Sequence, residues 1–326
     1  MSAGTREAVL GDAALERLCR AARVDPALLV EDFGDPAVAE PLAEAEVLLT
    51  GWGCPPLDEA ALARMPALRA VVHAAGSVKQ HVTDAVWRRG IQVSTAAAAN
   101  ALPVAEYTVA AVLFANKRVL ASAQAYREAR HRPGPCDMPA GIGNYRRTVG
   151  VVGASRIGRR VIELLRPFDL RLLVHDPYLD PGEAVALGAE PVELDQLCLL
   201  GDVVTVHAPE LPETRHLFDA VRLALLRDGT TLINTSRGSL VDTAALTAEL
   251  VAGRLHAVLD VTDPEPLPAD SPLYDLPNVL LTPHVAGSLG GELARLADTA
   301  IEEIERLAHG APLAHAVHRD TLARSA

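Results

Sequence analysis

The chain has 326 residues, of which 49% are apolar, so it can form two domains with substantial cores, and its composition argues against disorder. Its formal net charge of −12 argues against a nucleic-acid partner, because binding to a phosphate surface requires a basic footprint. The four cysteines lie far apart, without the spacing of a zinc or redox site. We therefore expect no metal centre, and free thiols in a reducing cytoplasm.

The N-terminus and the apolar runs predict a cytoplasmic protein without a membrane partner. Arg6 and Glu7 fall where a secretory peptide needs an uninterrupted apolar region. The apolar run at residues 108–115 is far shorter than the ~20 residues that a membrane span requires. Both observations favour a cytoplasmic location.

A weak α/β pattern occupies roughly the first hundred residues. The predicted strands are 47–49, 68–72 and 91–93, and the predicted helices are 13–22, 58–64 and 83–89. No clear opening strand is found in the first 45 residues. One long helix, predicted over residues 104–130, would connect this region to the next.

From residue 148 onward, apolar strands alternate with amphipathic helices. The predicted strands are 149–152, 172–174, 203–206, 231–234, 257–261 and 279–281, and the helices include 192–200, 217–226 and 244–251. This alternation predicts a doubly wound parallel sheet covered by helices on both faces. A last amphipathic helix is predicted over residues 291–309, and Gly310 ends it.

The turn after the strand at 149–152 resembles the dinucleotide-binding fingerprint. Gly153, Ser155 and Gly158 occupy its three small-residue positions, and Asp176 follows the next strand, eighteen residues after Gly158. Ser155 replaces the middle glycine, and its hydroxyl could donate to a phosphate oxygen. The alternative is an ordinary glycine-containing turn. Asp176 favours nucleotide binding, and a carboxylate that accepts from both ribose hydroxyls and repels a 2′-phosphate predicts NAD over NADP.

Three further polar residues each follow a predicted strand. They are Arg237, Glu265 and His284. Because ligands of open α/β sheets bind outside the carboxyl ends of the strands, we expect all three to converge on the nicotinamide end of a dinucleotide. Taken singly, each has an ordinary explanation: a surface ion pair, a loop carboxylate or a structural histidine.

Together these motifs resemble the D-isomer-specific 2-hydroxyacid dehydrogenases, from about residue 47 to the C-terminal helix. The matching runs are Asn234-Thr235-Ser236-Arg237-Gly238, Asp260-Val261-Thr262-Asp263-Pro264-Glu265-Pro266, His284-Val285-Ala286-Gly287 and Asn100-Ala101-Leu102-Pro103-Val104-Ala105-Glu106. The departures are Ser155, the segment Ala75-Gly76-Ser77-Val78-Lys79 in place of Gly-Val-Gly-Val-Asp, and Pro209-Glu210-Leu211 in place of Pro-Leu-Thr.

The resemblance implies an α/β protein of two domains. Residues 104–287 would form a Rossmann-type doubly wound parallel-sheet domain that binds NAD. Residues 1–103 and 288–326, from both chain ends, would form a smaller flavodoxin-like α/β substrate domain. A homodimer formed through the nucleotide domain and its entry helix is expected for the same reason. Because no extended regulatory domain follows residue 326 in this sequence, we do not expect a phosphoglycerate enzyme with an amino-acid sensor.

The resemblance also implies roles for individual residues. His284 would exchange a proton with the substrate oxygen, Glu265 would orient its ring and favour imidazolium, and Arg237 would bind the substrate's carboxylate and carbonyl oxygen. Backbone amides of Gly76 and Ser77 would hold the carboxylate, and Asp260 would contact the nicotinamide carboxamide. The expected cofactor-binding residues are Gly153, Ser155, Arg156, Ile157, Gly158, Asp176, His207, Ala208, Pro209, Thr214, Thr235, Ser236, Arg237, Asp260, His284 and Gly287.

The expected reaction is a hydride transfer between NAD(H) and a D-2-hydroxy acid or its 2-oxo acid. Glyoxylate, hydroxypyruvate or a related small acid is the expected substrate, while 3-phosphoglycerate and lactate-like acids stay open. Two alternatives remain: a non-enzymatic NAD(H)-sensing binding protein of the same fold, and a dehydrogenase of related architecture that acts on amino acids or a nucleoside. Intact Arg237, Glu265 and His284 argue against both.

Overall fold

The computed structural model describes residues 1–132, 134 and 141–322, so Cys136 lies outside the described residues. Within these ranges the strands are β1 (Val47–Thr50), β2 (Ala70–His73), β3 (Gln92–Thr95), β4 (Thr148–Val152), β5 (Arg171–His175), β6 (Glu190–Pro191), β7 (Val203–Val206), β8 (Thr231–Asn234), β9 (His256–Leu259), β10 (Val279–Leu281) and β11 (Ala316–Val317).

The α-helices of the same ranges are α1 (Ala3–Val9), α2 (Asp12–Ala21), α3 (Ala39–Glu44), α4 (Glu59–Ala63), α5 (Asp84–Arg88), α6 (Ala97–Asn116), α7 (Val119–Ala129), α8 (Arg156–Leu165), α9 (Pro181–Leu187), α10 (Leu194–Leu200), α11 (Ala220–Leu225), α12 (Thr243–Val251), α13 (Leu293–Ala308) and α14 (Arg319–Leu322). Short 3-10 helices lie at Pro36–Val38, Pro212–Thr214, Gly238–Leu240, Pro272–Tyr274 and Gly290–Glu292.

Residues 102–287 form a compact unit around a seven-stranded sheet. The strand order is β10-β9-β8-β7-β4-β5-β6, and every pair in it is parallel. The chain winds outward from β4 in one direction and then, from β7, in the other, which creates a topological switch point between these two strands. The predicted Rossmann-type doubly wound sheet is confirmed.

Alternate strand residues of this sheet face two separate hydrophobic cores. Leu173 packs with residues of α10, α11 and α12 on one face. Leu172 and Val174 pack with residues of α6, α8 and α9 on the other. Because both faces are covered, the central residues of the strands are mostly apolar, and each fully buried leucine contributes about 1.5–3 kcal/mol. These two cores hold the carboxyl ends of the strands in place.

The second compact unit consists of residues 1–101 and the segment from residue 288. Its sheet has the order β1-β2-β3-β11, in which β1, β2 and β3 are parallel and β11 is antiparallel to β3. One face packs against α13 and the N-terminal helices, and the other against α4 and α5. The first 45 residues, which lack a strand pattern, contain the helices α1, α2 and α3.

The connecting helix differs from the single helix predicted over residues 104–130. It begins at Ala97, and it breaks after Asn116, so that α6 and α7 are separate. Arg118 has a φ of 51°, in the left-handed region, which a right-handed helix cannot contain. Its guanidinium donates to the carbonyl of Gly229 and to the hydroxyl of Thr231, which favours the break.

Helix α6 is also longer than the apolar run at 108–115 suggests. Its 20 residues are long and apolar enough, by length and composition alone, to cross a bilayer, and 39% of its most apolar stretch is buried inside the chain. Core helices of globular proteins often satisfy the same criterion, so this finding does not argue for a membrane location.

Candidate active site

The turn after β4 lies at the switch point and can contain only glycine at two positions. Gly153 has a φ of +95°, and an added Cβ would lie 2.7 Å from the backbone nitrogen of Ala208. An added Cβ at Gly158, in the first turn of α8, would lie 2.0 Å from the carbonyl oxygen of Gly153. The absent side chains therefore allow the strand, the turn and the helix to approach closely, as a dinucleotide-binding turn requires.

Ser155 is the N-cap of α8. Its hydroxyl accepts a hydrogen bond from the backbone N–H of Gly158 at 3.3 Å. We predicted this hydroxyl as a donor to phosphate, and its proton remains available for that role, since a hydroxyl can accept and donate together. Arg156 is exposed and Ile157 half-buried in the same turn. The helix N-terminus provides the positive dipole end that favours an anion.

Asp176 follows β5 and lies against the glycine turn. Its Oδ2 accepts from the backbone N–H of Ala154 at 2.7 Å, and its Oδ1 accepts from that of Tyr178 at 2.8 Å. Each carboxylate oxygen can accept a second hydrogen bond. Asp176 is thus fixed beside the turn, with capacity left for the hydroxyls of a ribose.

The loop after β7 packs directly on the glycine turn. His207 is 1% exposed, its Nε2 lies 2.9 Å from the Thr205 hydroxyl, and burial lowers its pKa to about 3. This ring is therefore neutral, and its backbone rather than its charge borders the nucleotide-binding turn. Further along, the Thr214 hydroxyl donates to the carbonyl of Pro209 at 2.7 Å, which closes the loop that begins at Ala208.

Arg237 lies three residues beyond β8, and polar side chains shape the loop that holds it. Asn234 accepts from the N–H of Ser236 at 3.0 Å and donates to the carbonyl of Arg237 at 2.8 Å. Ser236 donates to the carbonyl of Val206 at 2.6 Å, and the Thr235 hydroxyl lies 3.2 Å from that of Thr108.

The guanidinium of Arg237 is largely uncommitted within the described residues. Its Nη1 donates to the backbone carbonyl of Ser236 at 2.6 Å, and no carboxylate of the described part of the chain lies within ion-pair distance of it. The planar group therefore keeps donors that could form the paired hydrogen bonds typical of carboxylate recognition.

The loop after β10 presents His284, and the buried carboxylate of Asp260 organises that loop. Asp260 is 2% exposed, and it accepts from the N–H groups of Val285 at 2.8 Å and Ala286 at 2.9 Å. Its Oδ1 also accepts from the hydroxyl of Thr282 at 2.6 Å. We predicted a contact between Asp260 and the nicotinamide carboxamide; in the structure three groups of the histidine loop already use this carboxylate.

Glu265 and His284 are brought into direct contact. The Nδ1 of His284 lies 2.8 Å from Oε1 of Glu265, and both side chains are about half exposed. A carboxylate on Nδ1 selects the tautomer with its proton there and leaves Nε2 for another partner. Because β8, β9 and β10 are neighbours, Arg237, Glu265 and His284 all lie at the carboxyl edge of the same sheet.

The two predicted substrate-binding residues lie in the smaller unit, in the loop after β2. Gly76 is half-buried, and an added Cβ would lie 3.4 Å from the side-chain nitrogen of Asn100. The Oγ of Ser77 accepts from the N–H of Lys79 at 3.4 Å. The Asn100 oxygen, on α6, accepts from the N–H of Ser288 at 3.0 Å.

The residues present fit a bound NAD. The glycine turn packs closely against the N-terminus of α8, and Asp176 lies beside the turn. The loops after β7, β8 and β9 leave the same edge of the sheet. Gly287 is half-buried at the end of the histidine loop. Sequence motifs did not indicate Thr282 or Tyr107, because the partners of these side chains are far away in the chain.

This geometry is that of a dinucleotide-binding domain with a doubly wound parallel sheet. Residues 109–286 match the family model described as D-isomer specific 2-hydroxyacid dehydrogenase, NAD binding domain. The chain therefore belongs to the D-isomer specific 2-hydroxyacid dehydrogenase family, and the predicted family and NAD-binding domain are confirmed.

Known proteins that are similar to this chain are named for different substrates. D-3-phosphoglycerate dehydrogenase of Mycobacterium tuberculosis is 35% identical over 81% of this chain, which spans only 49% of that protein. Glyoxylate reductase of Aeropyrum pernix is 33% identical over 80% of this chain and 79% of its own length. D-lactate dehydrogenase of Aquifex aeolicus, solved with NAD and lactic acid, has a TM-score of 0.67 at 26% identity, covering 83% of this chain and 85% of its own. The chain thus spans about half the length of the phosphoglycerate dehydrogenases that it matches.

Proposed function

We propose that this chain is an NAD-dependent oxidoreductase that transfers a hydride between NAD(H) and a D-2-hydroxy acid or its 2-oxo acid. The observation that carries the proposal is the 2.8 Å contact between His284 and Glu265, at the same sheet edge as Arg237. A carboxylate-bound imidazole is a general acid and base, and an uncommitted guanidinium binds carboxylates.

The chain's own residues account for the proton and for the substrate's orientation. Because Glu265 occupies Nδ1 of His284, Nε2 is the atom that donates a proton to the carbonyl oxygen in reduction and accepts the hydroxyl proton in oxidation. Arg237 orients the acid through its carboxylate. The nicotinamide, when bound, supplies or takes up the hydride.

A small 2-oxo acid such as glyoxylate or hydroxypyruvate is the substrate that we propose. The similarity to glyoxylate reductase supports this choice, since it extends over most of both chains. In the smaller unit, backbone amides at Gly76 and Ser77 would bind the carboxylate of such an acid. The relatives named for phosphoglycerate and lactate make those acids the first comparisons.

The test is NADH oxidation, followed by absorbance, against a panel of 2-oxo acids. We expect turnover with one small acid and its loss in His284→Ala, while His309→Ala, at an exposed position after α13, keeps wild-type activity. Turnover that survives His284→Ala would contradict the assigned role. If no acid is turned over although NADH binds in a fluorescence titration, the NAD(H)-sensing alternative replaces the enzyme.

We also propose a cytoplasmic homodimer. Helices α6 and α7 expose Phe114 and Leu120 beside the edge strand β10, where they line an apolar groove of about 240 Å³. A second copy of the chain would cover these side chains. Light scattering should give twice the monomer mass and a monomer for Phe114→Glu. A wild-type monomer would refute the dimer, and cell fractionation tests the location.

A further inference from the structure

A tyrosine on α6 is hydrogen-bonded to the loop that holds His284. The Tyr107 hydroxyl lies 2.9 Å from Oγ1 of Thr282, and Thr282 donates its single hydroxyl proton to Oδ1 of Asp260 at 2.6 Å. Since the proton of Thr282 is already used, the proton between the two hydroxyls must belong to Tyr107. The hydrogen bonds therefore run in one direction, from Tyr107 through Thr282 to Asp260.

Asp260, at the end of this series of hydrogen bonds, contacts the backbone of His284 and of the residues that follow it. Its carboxylate accepts from the N–H groups of Val285 and Ala286, and its backbone carbonyl accepts from the N–H of His284 at 2.9 Å. His284 itself has a φ of 56°. A residue other than glycine in this left-handed region costs about 1–3 kcal/mol and persists only where its surroundings enforce it.

We propose that Tyr107 is a positioning residue for the imidazole of His284, acting through Thr282 and Asp260. The inference rests on the proposed function, in which Nε2 of His284 exchanges the substrate proton. Tyr107 never touches the reacting atoms. Its hydrogen bond fixes the Thr282 hydroxyl toward Asp260, so that the carboxylate keeps the strained loop, and with it the ring that contacts Glu265, in one orientation.

The environment of Tyr107 suits a permanent donor. Its side chain is half-buried on α6, and its hydroxyl lies within hydrogen-bond distance of the Thr282 hydroxyl. The pKa of this phenol is raised, chiefly by burial; the contact with Thr282 lowers it in part, and the charge of Asp260 raises it further. The hydroxyl thus stays protonated at neutral and mildly alkaline pH.

The test compares Tyr107→Phe, Thr282→Val and the double variant with wild type. The matched control is Tyr126→Phe, which removes the same hydroxyl at an exposed position of α7. We expect Tyr107→Phe to lower kcat about two- to tenfold, the range of one hydrogen bond, with the KM for NADH changed less than twofold. The kcat of the double variant should be no lower than that of Thr282→Val, because both substitutions interrupt the same series of hydrogen bonds.

A second measurement does not depend on turnover. In the protein without added cofactor, the NMR chemical shifts of the His284 ring should differ from wild type in Tyr107→Phe and match wild type in Tyr126→Phe. Unchanged ring shifts in Tyr107→Phe, or an unchanged kcat in an active enzyme, would overturn the proposal. If wild type turns over no acid, the proposed function fails, and the chemical shifts alone decide the role of Tyr107.

Discussion

Substitution of Gly158 by alanine tests whether close packing of the turn is essential for NAD binding. The new Cβ would lie 2.0 Å from the carbonyl oxygen of Gly153 and 3.2 Å from its carbonyl carbon, both backbone atoms. Since Cβ atoms essentially never come closer than about 3.0 Å, the turn and α8 must separate by at least about 1 Å. Such overpacking typically costs about 1–3 kcal/mol of folding stability.

The same displacement should weaken NADH binding. Ala154 and Ser155 lie in the turn that must move, and their hydrogen bonds to Asp176 and Gly158 set the geometry of the site. Loss of about two such bonds to the cofactor corresponds to a dissociation constant raised roughly tenfold or more. Fluorescence titration with NADH measures this constant, and urea unfolding measures the stability.

Gly150→Ala is the matched control for this experiment. Its Cβ would lie 2.3 Å from a side-chain methyl of Leu197, in the core behind β4 and away from the turn. We expect both variants to lose stability, but only Gly158→Ala to lose NADH affinity. If both variants bind NADH within twofold of wild type, the packing argument is refuted.

Three further outcomes are expected. Glu265→Gln should lower kcat about tenfold in steady-state assays, because a neutral amide gives His284 a weaker hydrogen bond than a carboxylate does; an unchanged kcat would contradict this. Asp176→Ala should raise the ratio of kcat/KM with NADPH to that with NADH at least roughly tenfold, and an unchanged ratio would remove Asp176 from ribose recognition. Burial, followed by the charge of neighbouring groups, lowers the pKa of His73 to about 3 and that of His81 to about 4 from the ordinary value of 6.5. The unfolded chain then binds protons that the folded chain excludes, so stability should fall as the pH drops from about 6.5 toward 4, by up to about 1.4 kcal/mol per pH unit for each ring. Urea unfolding at about pH 7 and pH 5 measures this loss of stability. If His81→Asn loses as much stability between the two pH values as wild type, the role of His81 is contradicted.

The large sheet was predictable because its strands are short apolar runs separated by amphipathic segments. The strands predicted at 203–206, 231–234 and 279–281 have the same bounds in the structure. Strands β6 and β11 were missed, since a two-residue strand has no periodicity to detect. The break between α6 and α7 was missed for a different reason: Arg118 bonds to Gly229, more than a hundred residues away.

The site could be predicted as a set of residues but not as a set of contacts. Arg237, Glu265 and His284 each follow a strand, and this position is visible in the sequence. The direct bond between Glu265 and His284 is not visible in the sequence, because it joins loops that follow different strands. The hydrogen bonds of Asp260 to the histidine loop depend likewise on tertiary packing.

Ser155 shows why one position of the glycine fingerprint can change while the other two cannot. Its backbone, at φ −63° and ψ 176°, is ordinary extended structure, whereas Gly153 has a positive φ and Gly158 has no room for a Cβ. A serine there costs no backbone strain and caps α8, yet its hydroxyl takes up the N–H of Gly158. The helix therefore offers an anion one free backbone donor fewer, and the hydroxyl proton of Ser155 is the group that can replace it.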